Sequence, residues 1–192
     1  MIRILFSVFF LFFIILFSFE KIQGLEIKVL ATVNNQAISN YDLFIEVKSQ
    51  ELLNNRAINK SQHRQILQQM IDETIRESEV KKNNITADKK AVNDKINKIL
   101  SQLPNEIKLD DQIKSNIKSK IENSIKWNNL ILIKFRNKIE INTNEIDQII
   151  KSKDLNEQEK DRITILEKNK KLQVFSKTYF NEVKKQYFIK IY

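Results

Sequence analysis

Large apolar residues recur along most of the chain at steps of three and four, the spacing of one face of a helix. The clearest case is residues 62–82, where Ile66, Leu67, Met70, Ile71, Ile75 and Val80 fall on one side. Arg64, Gln68, Asp72, Glu73, Arg76 and Lys82 fall on the other, and no Gly or Pro interrupts the run. This stretch predicts a central helix with the flanking segments packed on its apolar side.

Ahead of it, residues 27–33 form a short β-branched-rich run that reads as a strand. Asn34, Asn35 and Gln36 then read as a turn, because Asn tolerates left-handed backbone. Ser39 is a good N-cap, with Asp42 in the first turn of a helix through Leu43, Phe44 and Val47. Residues 54–61 are polar and read as a loop. A strand and turn opening a helix can cradle phosphate, but no glycine is present to let phosphate approach the backbone here.

Beyond the central helix, residues 81–84 read as its end. Thr86 is a cap candidate with Asp88 in the next first turn. The following helix carries Val92, Ile96, Ile99, Leu100 and Leu103 and is expected to break at Pro104, the single proline. Residues 109–138 place Ile113, Ile117, Ile121 and Ile125 at steps of four, which drift by about 40° each around a helix. That stripe is expected to wrap across neighbouring elements, or the helix to break near Asn123. Trp127, the single tryptophan, Leu130, Ile131 and Phe135 continue the apolar surface. Ile139 and Ile141 alternate as a brief extended piece. Asn142 or Thr143 then caps a short helix bearing Ile146, Ile149 and Ile150. Residues 162–186 are helix-like through Ile163, Leu166, Leu172, Phe175, Tyr179 and Val183, and residues 187–192 read as a closing strand. That strand is expected to pair with residues 27–33, since two isolated short strands leave unpaired edges.

Composition supports a mostly helical chain: 192 residues hold one Gly, one Pro and no Cys. The missing Cys removes disulfides, thiol nucleophiles and thiolate metal sites. The charge of +9 comes from 33 basic residues scattered among 24 acidic ones, without the basic stripe that nucleic-acid binding asks for. Residues 1–19 combine Arg3 with an apolar run and hold seven of the 12 Phe residues. They have the layout of a signal peptide, with Gly24 at a plausible cleavage edge and an uncleaved inner-membrane anchor as the alternative. Removing residues 1–24 takes away Arg3, Lys21 and Glu20 and leaves +8.

No P-loop, HExxH, GxSxG or metal-spaced His cluster occurs, so no cofactor or metal is expected. The paired acids Asp110 and Asp111, or Glu145 and Asp147, face different ways on a helix and read as N-terminal helix charges. His63, the single histidine, reads as a solvated or capping residue.

In this order the pieces resemble the N-terminal chaperone module of the SurA family of periplasmic chaperones. The resemblance is carried by VLATVNNQAISNYDL (29–43), ILQQMIDETIRESEVKKNNITADKKAVNDKI (66–96) and IKFRNKIEINTNEIDQII (133–150). Val33, Asn34, Ile38, Ser39 and Asp42 fit the family's first pattern, with Asn35 where Gly is common. Thr86 and Asp88 fit its later cap. The stretch 101–111 looks shorter than the family's inner loop. Residues 151–161 stand where the family carries parvulin-type isomerase domains, and about ten residues are too few for one.

The resemblance implies a mostly α fold with a small two-stranded antiparallel sheet made by the start of the mature chain and the C-terminal strand. The expected organisation is a leader at 1–24, the module at 25–153, and a helix and strand at 154–192 packing back on it. The implied function is an ATP-independent periplasmic holdase without isomerase activity, whose partners are unfolded or extended polypeptides such as outer-membrane protein precursors. Trp127, Tyr179 and Phe180 are the candidate lining of a peptide groove, with core burial as the other reading of each. An anchored helical scaffold at the inner membrane and a residual isomerase are the alternatives. Membrane contact is expected only through an uncleaved leader.

Overall fold

The computed structural model describes residues 26–103, 110–141, 143–153 and 157–192. The leader-like segment 1–24, Pro104 and the cap candidate Asn142 lie outside the described residues. Strand β1 (Val29–Val33) pairs antiparallel with β2 (Gln36–Ser39) and, on its other edge, with β3 (Ile189–Ile191), in the order β2-β1-β3. The expected pairing of the two distant strands is therefore present. Gln36 opens a third strand instead of closing the turn. QAIS holds one large apolar residue, Ile38, which is too little alternation to mark a strand.

The hairpin turns through Asn34, whose φ of 50° lies in the left-handed region that Asn tolerates. Asn34 also reaches the far end of the chain. Its N–H donates to the Phe188 carbonyl at 2.7 Å, and its Oδ1 accepts from the Phe188 N–H at 2.9 Å.

Helix α1 (Asn40–Asn54) starts at Ser39 with a reciprocal capping box to Asp42 and ends at Asn55 in the left-handed conformation. A 3-10 turn (Lys60–Gln62) leads into the central helix α2 (His63–Lys82). Helix α3 (Lys89–Leu100) is capped by Asp88, whose carboxylate accepts from the Lys90 and Ala91 N–H groups, so Asp88 takes the role expected of Thr86. Helix α4 (Asp111–Lys134) is unbroken past Asn123 and is capped by Asp110. Its stripe wraps, as one of the two expectations had it. Ile117 and Ile121 pack with Val92 and Ile96 of α3 in one cluster, while Trp127, Leu130 and Ile131 join the main core.

The extended piece expected around Ile139 is a single helical turn, α5 (Arg136–Ile139), which folds Ile139 into the core. Two further helices follow, α6 (Thr143–Lys153) and α7 (Glu157–Lys184). Helix α7 packs along α4, α5, α6 and α2.

The main core gathers Ala31 and Val33 of β1, Ile38 of β2, Ile71, Ile75 and Val80 of α2, and Phe180 and Val183 of α7. The polar side of α2 is itself partly covered, because α4 and α7 pack over it. Asp72 pairs with Lys184 of α7 at 2.7 Å. The Arg76 guanidinium sits 4.7 Å from the Phe180 ring centre and 5.9 Å from that of Trp127.

Glu79, only 2% exposed, accepts from the Tyr179 hydroxyl at 2.8 Å and the Tyr187 hydroxyl at 3.0 Å. A second buried acid, Glu46 of α1, is fully partnered by Gln50, Asn116 and Lys120. Burial pushes its carboxyl upward, but the Lys120 charge and these hydrogen bonds outweigh it and leave it below its ordinary value.

Candidate functional site

Leu130, Ile131, Leu132 and Ile133 are four consecutive apolar residues on α4. At about 100° per residue they span roughly 300° of the helix surface, too wide an arc for one buried face. Leu130 and Ile131 take the core, at 1% and 0% exposure, while Ile133 is left 67% exposed. The helix stops one residue later. Phe135 leaves helical geometry at φ −121°, and the α5 turn swings Ile139 inward.

This bend opens a groove of about 540 Å³ between the end of α4, the segment from α5 to Ile141, and α7. Leu132, Ile133, Ile139 and Ile141 form its apolar lining, and Arg136, Glu140, Thr164 and Lys168 form a polar rim. The Glu140 carbonyl accepts from Lys171 Nζ of α7 at 3.1 Å, which ties the two walls together. A second depression of about 370 Å³ lies on the other flank of the same ridge, lined by Asn84, Ile85, Thr86 and Asn129 together with Leu132 and Ile133. Asn129 Nδ2 donates to the Thr86 carbonyl at 3.1 Å and fixes that wall to α4. On α7, Ile165 and Leu166 are also exposed, at 59% and 64%. Leu166 thus faces outward, although its spacing had placed it on the buried stripe.

An apolar floor with a charged rim can take up apolar side chains of an extended chain while its backbone stays hydrated. Among the described residues no group of His, Asp or Glu is arranged to hold a metal ion. His63 lies at the start of α2 and lines a separate pocket beside β3.

The three residues expected to line a groove are brought together, but inside the molecule. Trp127 stacks on Tyr179 with ring centres 5.7 Å apart and meets Phe180 edge-on at 6.3 Å. Trp127 Nε1 donates to Ser176 Oγ at 2.8 Å. Trp127 and Phe180 are buried, and Tyr179 is half-buried with its hydroxyl committed to Glu79. These are the core positions that the other reading of each residue describes. Ile133, at 67% exposure, is far more open to solvent than Trp127 at 5% or Phe180 at 7%. The groove residues carried a signal that residue type alone did not: an apolar run too long for one helical stripe.

The profile of the SurA-like N-terminal domain matches residues 1–113. No curated protein matches the chain. Strands β1 and β2 and helices α1, α2 and α3 lie within the matched span, while α4 crosses its end and carries the groove beyond it. The match takes in more than half of the 192 residues, and the chain belongs to the SurA-like N-terminal domain family.

Proposed function

We propose that this protein is an ATP-independent holdase of the periplasm that binds extended apolar segments of unfolded exported chains, outer-membrane precursors among them, without isomerase activity. The observation that carries the reading is the solvent-open groove on both flanks of Leu132 and Ile133, on a chain that belongs to a chaperone-module family. Its basic rim residues, Arg136 and Lys168, suit clients that carry acidic residues beside apolar ones.

The test is light scattering from a refolding outer-membrane protein. Several-fold excess of the full chain is expected to suppress aggregation, and no suppression at that excess overturns the reading. Ile133→Glu alters an exposed side chain, so stability changes little, by about 0.5 kcal/mol or less. The variant is expected to hold clients about tenfold more weakly, the equivalent of one lost apolar side-chain contact.

We place the protein in the periplasm on the strength of the leader-like residues 1–24. N-terminal sequencing of the exported protein is expected to begin near Leu25. An intact Met1 would instead favour a membrane-anchored form.

A further inference from the structure

The described sheet has an open edge with a composition of its own. Strand β3 pairs with β1 through alternate residues: the Tyr192 N–H donates to the Leu30 carbonyl at 3.0 Å, and Phe188 exchanges bonds with Asn34. Lys190 stands opposite Thr32 in the same register. Antiparallel geometry therefore turns the N–H and C=O groups of Ile189 and Ile191 away from β1, along the free edge. Phe188, Ile191 and Tyr192 are exposed at 71%, 57% and 65%, so this edge is apolar as well as unpaired among the described residues. Ile191 also lines a pocket of about 780 Å³ together with Leu43 of α1 and Leu67 and Arg64 of α2.

We infer that β3 is a second client site, which takes an extended segment as an added strand with apolar side chains at alternate positions and an acidic one between them. The choice of a client as occupant rests on the chaperone reading above; the site itself rests on the edge geometry. Main-chain hydrogen bonds to Ile189 and Ile191 hold the segment. Its apolar side chain beside Ile191 lies next to the pocket, and its acid faces Lys190 on the opposite face. A second copy of this chain fits poorly. Full antiparallel overlap of two β3 strands puts Ile189 opposite Ile191 and sets Lys190 directly against Lys190, and like charges at that position repel.

The probe is a short synthetic peptide in which valine and phenylalanine alternate with threonine and glutamate, added to the full chain and followed by amide hydrogen exchange. Exchange at Ile189 and Ile191 is expected to slow about tenfold or more at saturation, while Lys190, already bonded to β1, changes little. A peptide N-methylated along the edge that faces β3 should not protect them, and one N-methylated along the other edge should. Ile191→Pro removes one outward N–H at a position where an edge strand tolerates proline, and should weaken peptide binding with the fold retained. Unchanged exchange at Ile189 and Ile191 overturns the inference, as does equal protection by both N-methylated peptides. Protection that grows with protein concentration alone also overturns it, because the occupant is then a second copy. If Ile191→Pro abolishes peptide protection but leaves suppression of scattering intact, the edge and the holdase reading stand separately. Peptide protection without any suppression leaves the edge and removes the holdase.

Discussion

Ile71→Asp is expected to leave no cooperative unfolding transition. Ile71 is fully buried in the main core, between the sheet and the helices that surround α2. An unpaired carboxylate there costs several kcal/mol, on the order of the whole stability of a small domain, about 5–15 kcal/mol. Ile71→Val removes one methylene at the same place and should cost only about 1 kcal/mol with a sharp transition kept. Urea unfolding followed by circular dichroism checks both. A soluble Ile71→Asp protein with a cooperative transition would show that α2 is not the element around which the chain is organised.

Glu79→Ala should give the second-largest loss, about 2–4 kcal/mol, because two phenol hydroxyls lose a charged acceptor at once. Tyr179 belongs to α7 and Tyr187 precedes β3, so both bonds fasten the C-terminal part of the chain to α2. The damage is therefore expected first at β3, as faster amide exchange there than in α3 or α4.

The same contact sets an alkaline limit. Burial, then the hydrogen bond to Glu79 and its negative charge, push the Tyr187 hydroxyl from about 10 up to about 12, and they raise Tyr179 as well. An unfolded tyrosine releases its proton near 10 while the folded ones keep theirs. The stabilisation is thus complete below about pH 10 and is lost as pH rises through about 12. Tyr187→Phe should flatten that alkaline slope, and a wild-type urea midpoint that does not move between pH 9 and 12 would rule the linkage out.

The elements that could be read from sequence were those written in local chemistry. Ser39 and Asp42 announce the start of α1 because a capping box needs only two residues three apart. The stripe of α2 was legible because helical periodicity repeats over five turns. Asp88 and Thr86 are both competent caps two residues apart, and the outcome depends on where the incoming segment bends, a tertiary matter. Strand β2 was hidden because its partner, not its own pattern, makes it a strand. The α5 turn was hidden for a related reason: alternation at Ile139 and Ile141 suits an extended piece, and the helical turn is favoured by packing against α4 and α7. The candidate site divides the same way. Aromatic residues drew attention to Trp127, Tyr179 and Phe180, yet rings that size are what a small helical core buries first. Ile133 is an ordinary residue whose significance comes from its three apolar neighbours.

The bond between Asn34 and Phe188 joins residues 154 positions apart. Closing a loop of that length costs about 4–5 kcal/mol in chain entropy before any contact repays it. The β1–β2 hairpin and the capped helices need only near neighbours and can form early. The sheet gains β3 only after all the residues between Asn34 and Phe188 have been made. Until then the inner face of β1 and the apolar stripe of α2 lack their final cover. During synthesis the chain therefore passes through a stage in which it exposes the kind of surface that chaperones recognise. Its own maturation resembles the situation of the clients proposed for it.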